Sequence, residues 1–263
     1  MILIGFLISL YIAYAAHRRQ ALTTAGALAA VLIGTTLFGL GGGMAGLALV
    51  AFFLSSTALS HHRREEKQGL TGDLVEKGDQ RDAYQVLANG GPAALFALFY
   101  ALTGSDCFYV GALASLAAAN ADTWATEIGV LSQAAPRHIL TWQEVPAGTS
   151  GAVSESGLWA TLAGAAFIGF LVLLEPLPGG LSRAAVVTLG GIIGGTGDSI
   201  LGAVLQEQRQ CLTCGAMTEQ TRHRCGGETL VVGGLSGVDN DTVNALATAW
   251  GGTAAALIWA LLS

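Results

Sequence analysis

Long apolar segments separated by shorter polar ones follow one another along the whole chain. Eight of them are close to the length that an α-helix needs to cross a bilayer: residues 1–16, 21–40, 44–60, 86–104, 107–121 with a polar extension to 132, 157–177, 184–205 and 241–262. This pattern predicts an all-α, polytopic membrane protein. About eight transmembrane helices would form one bundle over residues 1–263, joined by polar cytoplasmic loops.

The composition agrees with a lipid environment. Hydrophobic residues make up 52% of the chain and charged residues only 11%, with a mean hydropathy of +0.57. The 37 glycines suit helices that pack closely in lipid. No basic residue precedes the first apolar segment, whereas Arg18 and Arg19 follow it. We therefore expect this segment to be a retained first helix and not a cleaved signal peptide.

The basic residues predict the orientation. Basic loop residues tend to stay in the cytoplasm, so Arg18 and Arg19 place the N-terminus outside. Of the 12 Lys and Arg residues, only Arg183 then lies outside. The long polar connections near residues 61–85, 132–156 and 206–240 all become cytoplasmic, and we expect the functional site there. The whole chain has a net charge of -6, acidic and basic residues are mixed in these loops, and no nucleic-acid partner is predicted.

Three of the apolar segments carry an aspartate followed by a hydroxyl residue at the same predicted depth. The pairs are Asp122-Thr123, Asp198-Ser199 and Asp241-Thr242. Carboxylates are costly to bury in a membrane and usually mark an ion, proton or substrate site. Carboxylate oxygens suit Mg²⁺, which often completes its coordination with substrate phosphates. The alternative is that each aspartate only caps or hydrogen-bonds a neighbouring helix.

Helical spacing refines two of these segments. Asp122 and Glu127 lie about 140° apart around a helix, so a site using both must wrap that helix, or the helix must break. Near the start of the last segment, Asp241 and Asn244 share a face, with Asn240 beside Asn244. We interpret this dense polar stripe as part of a site.

The first long loop leads into its helix with polar residues at successive steps of four, namely Lys77, Arg81, Gln85 and Asn89. Lys77 and Arg81 are candidates for holding phosphate oxygens. The alternative is that they serve only as positive-inside charge.

The second loop contains Arg137 and the sequence Gly-Thr-Ser-Gly, which includes Thr149 and Ser150. Backbone amides in such a turn, next to a helix N-terminus, can bind anions. The chain has no G-x-x-x-x-G-K-[ST] sequence, which excludes a P-loop nucleotide site.

The third loop, within residues 206–230, contains three of the four cysteines. Cys211, Cys214, His223 and Cys225 have the number and type of ligands of a closed tetrahedral zinc site. Such a zinc knuckle would be structural. Free thiols or a redox pair are the alternatives.

Five sequence blocks, in order, resemble the integral membrane family known as domain of unknown function ninety-two. They are "EKGDQRDAYQVLANGG", "AAANADTWATEIGVLS", "VPAGTSGAVS", "GDSILGAVLQ" and "DNDTVNALAT", and the resemblance extends from about residue 55 to the C-terminus. The family includes phytyl-phosphate kinase. The resemblance therefore implies transfer of a phosphoryl group from a nucleoside triphosphate, with CTP favoured over ATP, to an isoprenoid monophosphate such as phytyl, geranylgeranyl or farnesyl phosphate.

Under this resemblance the predicted residues take defined roles. Asp122, Asp198 and Asp241 would bind Mg²⁺, and Lys77 and Arg81 would hold phosphates. The remaining substrate or nucleotide contacts would come from Gln85, Asn89, Thr123, Glu127, Arg137, Thr149, Ser150, Ser199, Asn240 and Asn244. The competing hypothesis is a cation-coupled transporter or channel that uses the same acidic cluster. Clustering of polar residues at one face, and not at mid-membrane, argues against it.

Overall fold

A computed structural model describes residues 2–71, 80–176 and 179–263 of the chain. Over this part, eight helices of 17 residues or more and one short helix are present. They are α1 (Ile2–Arg18), α2 (Thr24–Leu40), α3 (Gly42–His61), the short α4 (Arg64–Thr71), α5 (Ala83–Thr103), α6 (Asp106–Gly129), α7 (Glu155–Val172), α8 (Gly180–Leu205) and α9 (Asn240–Leu262). The predicted polytopic helix bundle is confirmed, and each long helix overlaps one predicted apolar segment.

Five of the long helices, α3, α5, α7, α8 and α9, are long and apolar enough to cross a membrane, and α1 and α2 are apolar helices of 17 residues. Local capping explains where several helices begin. The Asp82 side chain accepts a hydrogen bond from the Gln85 amide and completes a capping box, so α5 starts a few residues before the apolar segment. The Ser154 side chain accepts a hydrogen bond from the Gly157 amide and caps the start of α7.

Two small antiparallel sheets lie in the loops, and the sequence analysis did not predict them. Strands β1 (Arg137–His138) and β2 (Ala152–Val153) pair in the second long loop. Strands β3 (Gln208–Cys211), β4 (Met217–Thr218) and β5 (Thr229–Gly233) form a three-stranded sheet in the third, in the order β4-β3-β5. We call residues 206–233 the Cys/His loop. Strands of two to five residues leave too short a pattern to recognise in a sequence.

Helix α6 lies at the centre of the bundle, in contact with α3, α5, α7, α8 and α9. Every residue from 109 to 121 is buried, and most are small. A Cβ added to Gly191 of α8 would lie 2.8 Å from the Ala117 Cβ, and one added to Gly195 would lie 3.0 Å from the Ala121 Cβ. Close packing of α8 on α6 therefore explains Gly191 and Gly195.

One end of the bundle contains a charged cluster at the N-termini of α6 and α8. The Arg183 side chain is only 5% exposed, and its Nη2 donates to Asp106 Oδ2 at 3.1 Å. Its guanidinium also lies over the rings of Tyr109 and Trp259, 5.8 and 5.2 Å from their centroids. We call this the Arg183 end. The described parts of the three long polar connections line a common cavity at the other end, about 24 Å away along α6.

Candidate functional site

A cavity of about 530 Å³ lies at the end of the bundle where the long connections meet. We call it the polar pocket. Its base is formed by α6 and α8, which contribute Asp122 and Asp198, and its sides by the second and third long loops. Of the residues predicted from the sequence, it is lined by Gln85, Asp122, Thr149, Ser150, Asp198, Ser199 and Asn240. Thr126 and Thr196 also line it, although neither was among the predicted site residues.

The close packing of α8 on α6 brings Asp122 and Asp198 together. A Cβ on Gly195 would lie 3.3 Å from the Asp122 backbone nitrogen, so only a small residue lets the two helices approach here. The two carboxyl groups lie within hydrogen-bonding reach of each other. Asp198 Oδ2 is buried and has no hydrogen-bond partner in the described chain. Two carboxylates this close repel each other unless a cation or a proton lies between them.

The Gly-Thr-Ser-Gly turn forms one side of the polar pocket. Gly151 has a positive φ of 76°, and a Cβ there would collide with Ala203, so this glycine lets the turn dock directly on α8. Thr149 and Ser150 thereby reach the pocket beside Ser199. The Ser150 hydroxyl donates to Glu219 Oε1 of the Cys/His loop at 3.4 Å. Hydroxyl groups from two loops and from α8 therefore face the same space.

The charges in the lining are acidic. Besides Asp122 and Asp198, the pocket is lined by Glu207, Glu219 and Asp239, and no Lys or Arg is among the described lining residues. The negative charge of Glu207 is balanced by its neighbours, because the Gly237 amide donates a hydrogen bond to it and Arg209, which does not line the pocket, forms an ion pair with it. These hydrogen bonds hold the pKa of Glu207 below its usual value. Phosphate groups would enter such a pocket only together with cations.

Glu127 lies away from the polar pocket, next to α3 and α4. Helix α6 is continuous to Gly129, so Asp122 and Glu127 point to different neighbours. Glu127 Oε2 accepts from Lys67 Nζ of α4 at 2.6 Å, and Glu127 Oε1 accepts from Ser60 of α3 at 2.6 Å. Glu127 does not line the polar pocket. Lys67 was not predicted as the partner of Glu127, because nothing in the sequence distinguishes it from the neighbouring basic residues of this loop.

The polar stripe at the start of α9 is buried apart from Asn240. Asp241, Asn244 and Thr248 are each less than 10% exposed, and Thr248 Oγ1 donates to the Ala88 carbonyl of α5 at 3.2 Å. The described lining includes Asp239 and Asn240 from this region, but not Asp241 or Asn244. The structure therefore brings together two of the three predicted aspartates.

Thr123 also lies outside the described lining of the pocket. Its hydroxyl donates to the Ala119 carbonyl one turn earlier in α6, at 2.9 Å. Of the three predicted aspartate–hydroxyl pairs, only Asp198 and Ser199 contribute both residues to the pocket.

A second cavity, the apolar groove, lies between α1, α2, α3 and α5. It is lined almost entirely by hydrophobic side chains, together with Arg81, Gln85 and Asn89. Gln85 lines both the apolar groove and the polar pocket, so the two cavities adjoin at this residue. The lining of the groove extends along α2 from Ala30 to Phe38, a rise of about 12 Å along the helix axis.

Arg81 is fixed by its backbone. Its amide donates to the Ala21 carbonyl at 3.1 Å, and its carbonyl accepts from the Thr23 amide at 3.0 Å. The guanidinium lies over Phe52 and Phe53, 5.9 and 5.6 Å from the ring centroids. Burial lowers the pKa of Arg81, and no carboxylate in the described ranges forms a salt bridge with it. This cation at the end of an apolar groove is suited to an anionic head group.

Arg137, the predicted phosphate-binding cation of the second loop, lies away from both cavities. Arg137 Nη2 donates to Glu144 at 3.1 Å in an exposed loop, with both side chains more than half exposed, and Arg137 is not in the lining of either cavity. Lys77 lies outside the described residues.

The predicted zinc ligands are brought together: one ligand atom from each of Cys211, Cys214, His223 and Cys225 lies within 4.8 Å of all the others.

Comparison with known proteins supplies the family. The family model described as "Integral membrane protein DUF92" matches residues 7–252. "Protein PGR" of Arabidopsis thaliana is 32% identical over 92% of this chain and 91% of its own length. "Protein VTE6, chloroplastic" of the same plant is 29% identical over 71% of this chain and 57% of its own length. "Uncharacterized membrane protein MJ0933" of Methanocaldococcus jannaschii is 35% identical over 62% of this chain and 65% of its own length. No solved structure matches significantly. The chain is therefore a member of the DUF92 family of integral membrane proteins, as the five sequence blocks indicated.

Proposed function

We propose that the protein is a prenyl phosphate kinase, which transfers the terminal phosphoryl group of a nucleoside triphosphate to an isoprenoid monophosphate. The observation that carries the proposal is the junction at Gln85 of an acidic polar pocket and an apolar groove that ends in Arg81. A substrate with a phosphate head and a hydrocarbon tail needs this combination. The family, which includes phytyl-phosphate kinase, favours the same reaction.

The polar pocket would hold the nucleotide. Its volume of about 530 Å³ is in the range of small-molecule sites. Its acidic lining requires that the triphosphate enter with a divalent cation, and Asp122 and Asp198 are the residues that would bind Mg²⁺. The buried, unpartnered Asp198 Oδ2 fits a metal ligand. Bound Mg²⁺ would neutralise the charge that develops on the transferred phosphoryl group. Thr149, Ser150 and Ser199 supply hydroxyl groups for phosphate oxygens.

The apolar groove, with a volume of about 80 Å³, would hold the part of the acceptor's tail nearest the phosphate, with the phosphate itself at Arg81. A phosphate oxygen of the acceptor attacks the γ-phosphorus, the bond from that phosphorus to the β–γ bridging oxygen breaks, and the nucleoside diphosphate leaves. The acceptor phosphate is already ionised at neutral pH, so the reaction needs no general base. Arg81 positions the head group and Gln85 separates the two cavities, so this chain contributes alignment and charge stabilisation.

The direct test is an assay of purified protein in lipid nanodiscs. Phytyl, geranylgeranyl and farnesyl monophosphates are each incubated with CTP or ATP and Mg²⁺, and the products are identified by mass spectrometry. We expect the isoprenoid diphosphate and the nucleoside diphosphate in equal amounts, with CTP the better donor. No diphosphate from any combination, together with Mg²⁺-dependent ion flux in proteoliposomes, would favour the transporter hypothesis.

Arg81 and Arg137 form a matched pair for the acceptor site, because both were predicted to bind phosphate and only Arg81 lines the groove. Arg81→Gln should raise KM for the prenyl phosphate by about 10- to 100-fold, since a charge-assisted contact to the phosphate is lost. Arg137→Gln should leave KM unchanged. Equal KM values in the two variants would remove Arg81 from the site.

The tail position is tested by filling the groove. Ala30→Phe should shift the preference towards shorter prenyl chains, because the added ring occupies the space between α2 and its neighbours. Leu28→Phe changes an exposed position of the same helix and is the control. An unchanged chain-length preference in Ala30→Phe, with activity intact, would place the tail elsewhere.

A further inference from the structure

We infer that the Cys/His loop binds one structural zinc ion through Cys211, Cys214, His223 and Cys225, and that this ion holds one side of the polar pocket in place. The inference does not depend on the proposed kinase activity. It rests on the geometry of the four side chains, on the turns that present them and on the absence of an apolar core in this loop.

The ligand atoms have the separations of a tetrahedral zinc site. A tetrahedral ion places two thiolate sulfurs about 3.8 Å apart, and a sulfur and an imidazole nitrogen about 3.6 Å apart. The Cys225 sulfur lies 3.5 Å from that of Cys211 and 3.7 Å from that of Cys214. His223 Nδ1 lies 3.4 Å from the Cys214 sulfur and 3.2 Å from the Cys225 sulfur. No disulfide joins these cysteines, which are all free.

Two tight turns present the ligands. After Cys211 and Cys214, Gly215 has a φ of 74° and donates its amide to the Cys211 carbonyl at 2.9 Å. After His223 and Cys225, Gly226 has a φ of 84° and donates to the His223 carbonyl at 2.8 Å. A positive φ is readily adopted only by glycine, so both turns are specified by the sequence. Each turn contributes two ligands.

The loop lacks the apolar interior that would otherwise hold such a small sheet together. Its buried residues from 207 to 233 are Cys211, Thr218, His223, Gly227 and Thr229. Three of its larger apolar side chains, Leu212, Leu230 and Val232, are more than half exposed, and Met217 is 42% exposed. A unit of this size without a core needs a metal or disulfides to fold. A zinc ion at the four converging ligands meets this need.

The loop connects the proposed zinc site to the polar pocket. Glu219, which follows β4 directly, accepts a hydrogen bond from Gln206 Nε2 at 2.6 Å and one from the Ser150 hydroxyl of the Gly-Thr-Ser-Gly turn. Both Glu219 and Thr221 line the pocket. Because β4 and the Cys225 turn lie in the same small sheet unit, loss of the metal would release this side of the pocket.

The test is metal analysis of the full-length protein, purified in detergent without added metal or a metal-affinity tag. We expect about one zinc per chain in the wild type. Cys214→Ser and Cys225→Ser should reduce the zinc to less than about a tenth of that value, because three ligands bind far more weakly than four. Cys107→Ser changes the remaining cysteine, in the first turn of α6, and should keep full zinc content.

Two further measurements separate a specific site from adventitious metal. Cobalt exchanged into the wild type and into Cys107→Ser should give the visible absorption of a tetrahedral thiolate site, and Cys214→Ser should not. Limited proteolysis should cleave the Cys/His loop faster after zinc is chelated, and added zinc should reverse this. Zinc that is absent from the wild type, or retained in full by Cys214→Ser and Cys225→Ser, would overturn the inference.

Discussion

The two ends of α6 and α8 carry buried charge in opposite ways. At the Arg183 end the guanidinium has a carboxylate partner and two aromatic rings within the protein. At the polar pocket two carboxylates of the same sign face each other, and no described cation forms an ion pair with them. Each end places its charges on the same two helices. Under the proposed function, the first cluster stabilises the fold and the second binds the ligand.

The pair formed by Lys67 and Glu127 makes the same distinction within a single helix. Glu127 is only five residues from Asp122, but it has an ammonium partner at 2.6 Å and a hydroxyl donor as well. The charge on Glu127 is therefore already balanced by the protein. A carboxylate in a membrane helix thus indicates a ligand site only when its neighbours in space leave it unbalanced.

The largest expected effect is on activity at the pocket. Asp198→Asn should reduce kcat by on the order of 10³-fold, because it removes a proposed Mg²⁺ ligand next to the transferred phosphoryl group. Asp106→Asn is the same substitution at the Arg183 end and should leave kcat within about twofold. The measurement is the prenyl phosphate assay at saturating substrates. Equal activity in both variants would contradict the functional distinction between the two ends.

An intermediate effect is expected at the pair of Lys67 and Glu127, on stability and not on chemistry. Lys67→Met leaves the Glu127 carboxylate, which is only 21% exposed, without its cation, and should destabilise the protein by about 1–3 kcal/mol. The double variant Lys67→Met/Glu127→Gln should recover part of this loss. Thermal unfolding in detergent gives the coupling between the two positions. If Lys67→Met instead abolishes activity with an unchanged Tm, Glu127 belongs to the catalytic site.

The smallest effect is expected for stability at the Arg183 end. Asp106→Asn removes a carboxylate that is 55% exposed, so solvent screens its ion pair with Arg183, and the loss should be about 0.5–1 kcal/mol. The aromatic contacts of Arg183 remain in this variant. Thermal unfolding at low and at high salt tests whether this loss is electrostatic. If it is, the difference in unfolding free energy between Asp106→Asn and the wild type should shrink as the salt concentration rises. A difference independent of salt would show that packing, not charge, dominates there.

The sequence predicted the helices well because each apolar segment is long and its ends carry caps or polar turns. It also predicted that Asp122 and Asp198 lie close together, since both lie at the same depth on helices of the same direction. It could not show that Asp241 and Asn244 face the bundle. Helical spacing shows which residues share a face of a helix, but it does not show which part of the protein that face contacts. Likewise, Arg81 and Arg137 look equivalent in the sequence. Only the fold shows that Arg81 lines the apolar groove and that Arg137 lies in an exposed loop.

The burial of α6 also bears on how the protein is made. α6 is not among the five helices that are apolar and long enough to span a membrane, and it carries Asn120, Asp122 and Glu127 near its end. Its partners α7, α8 and α9 follow it in the chain and are synthesised later. A segment of this polarity inserts poorly by itself. Stable integration of α6 should therefore wait until the C-terminal helices have emerged, which couples biogenesis of the membrane domain to completion of the chain.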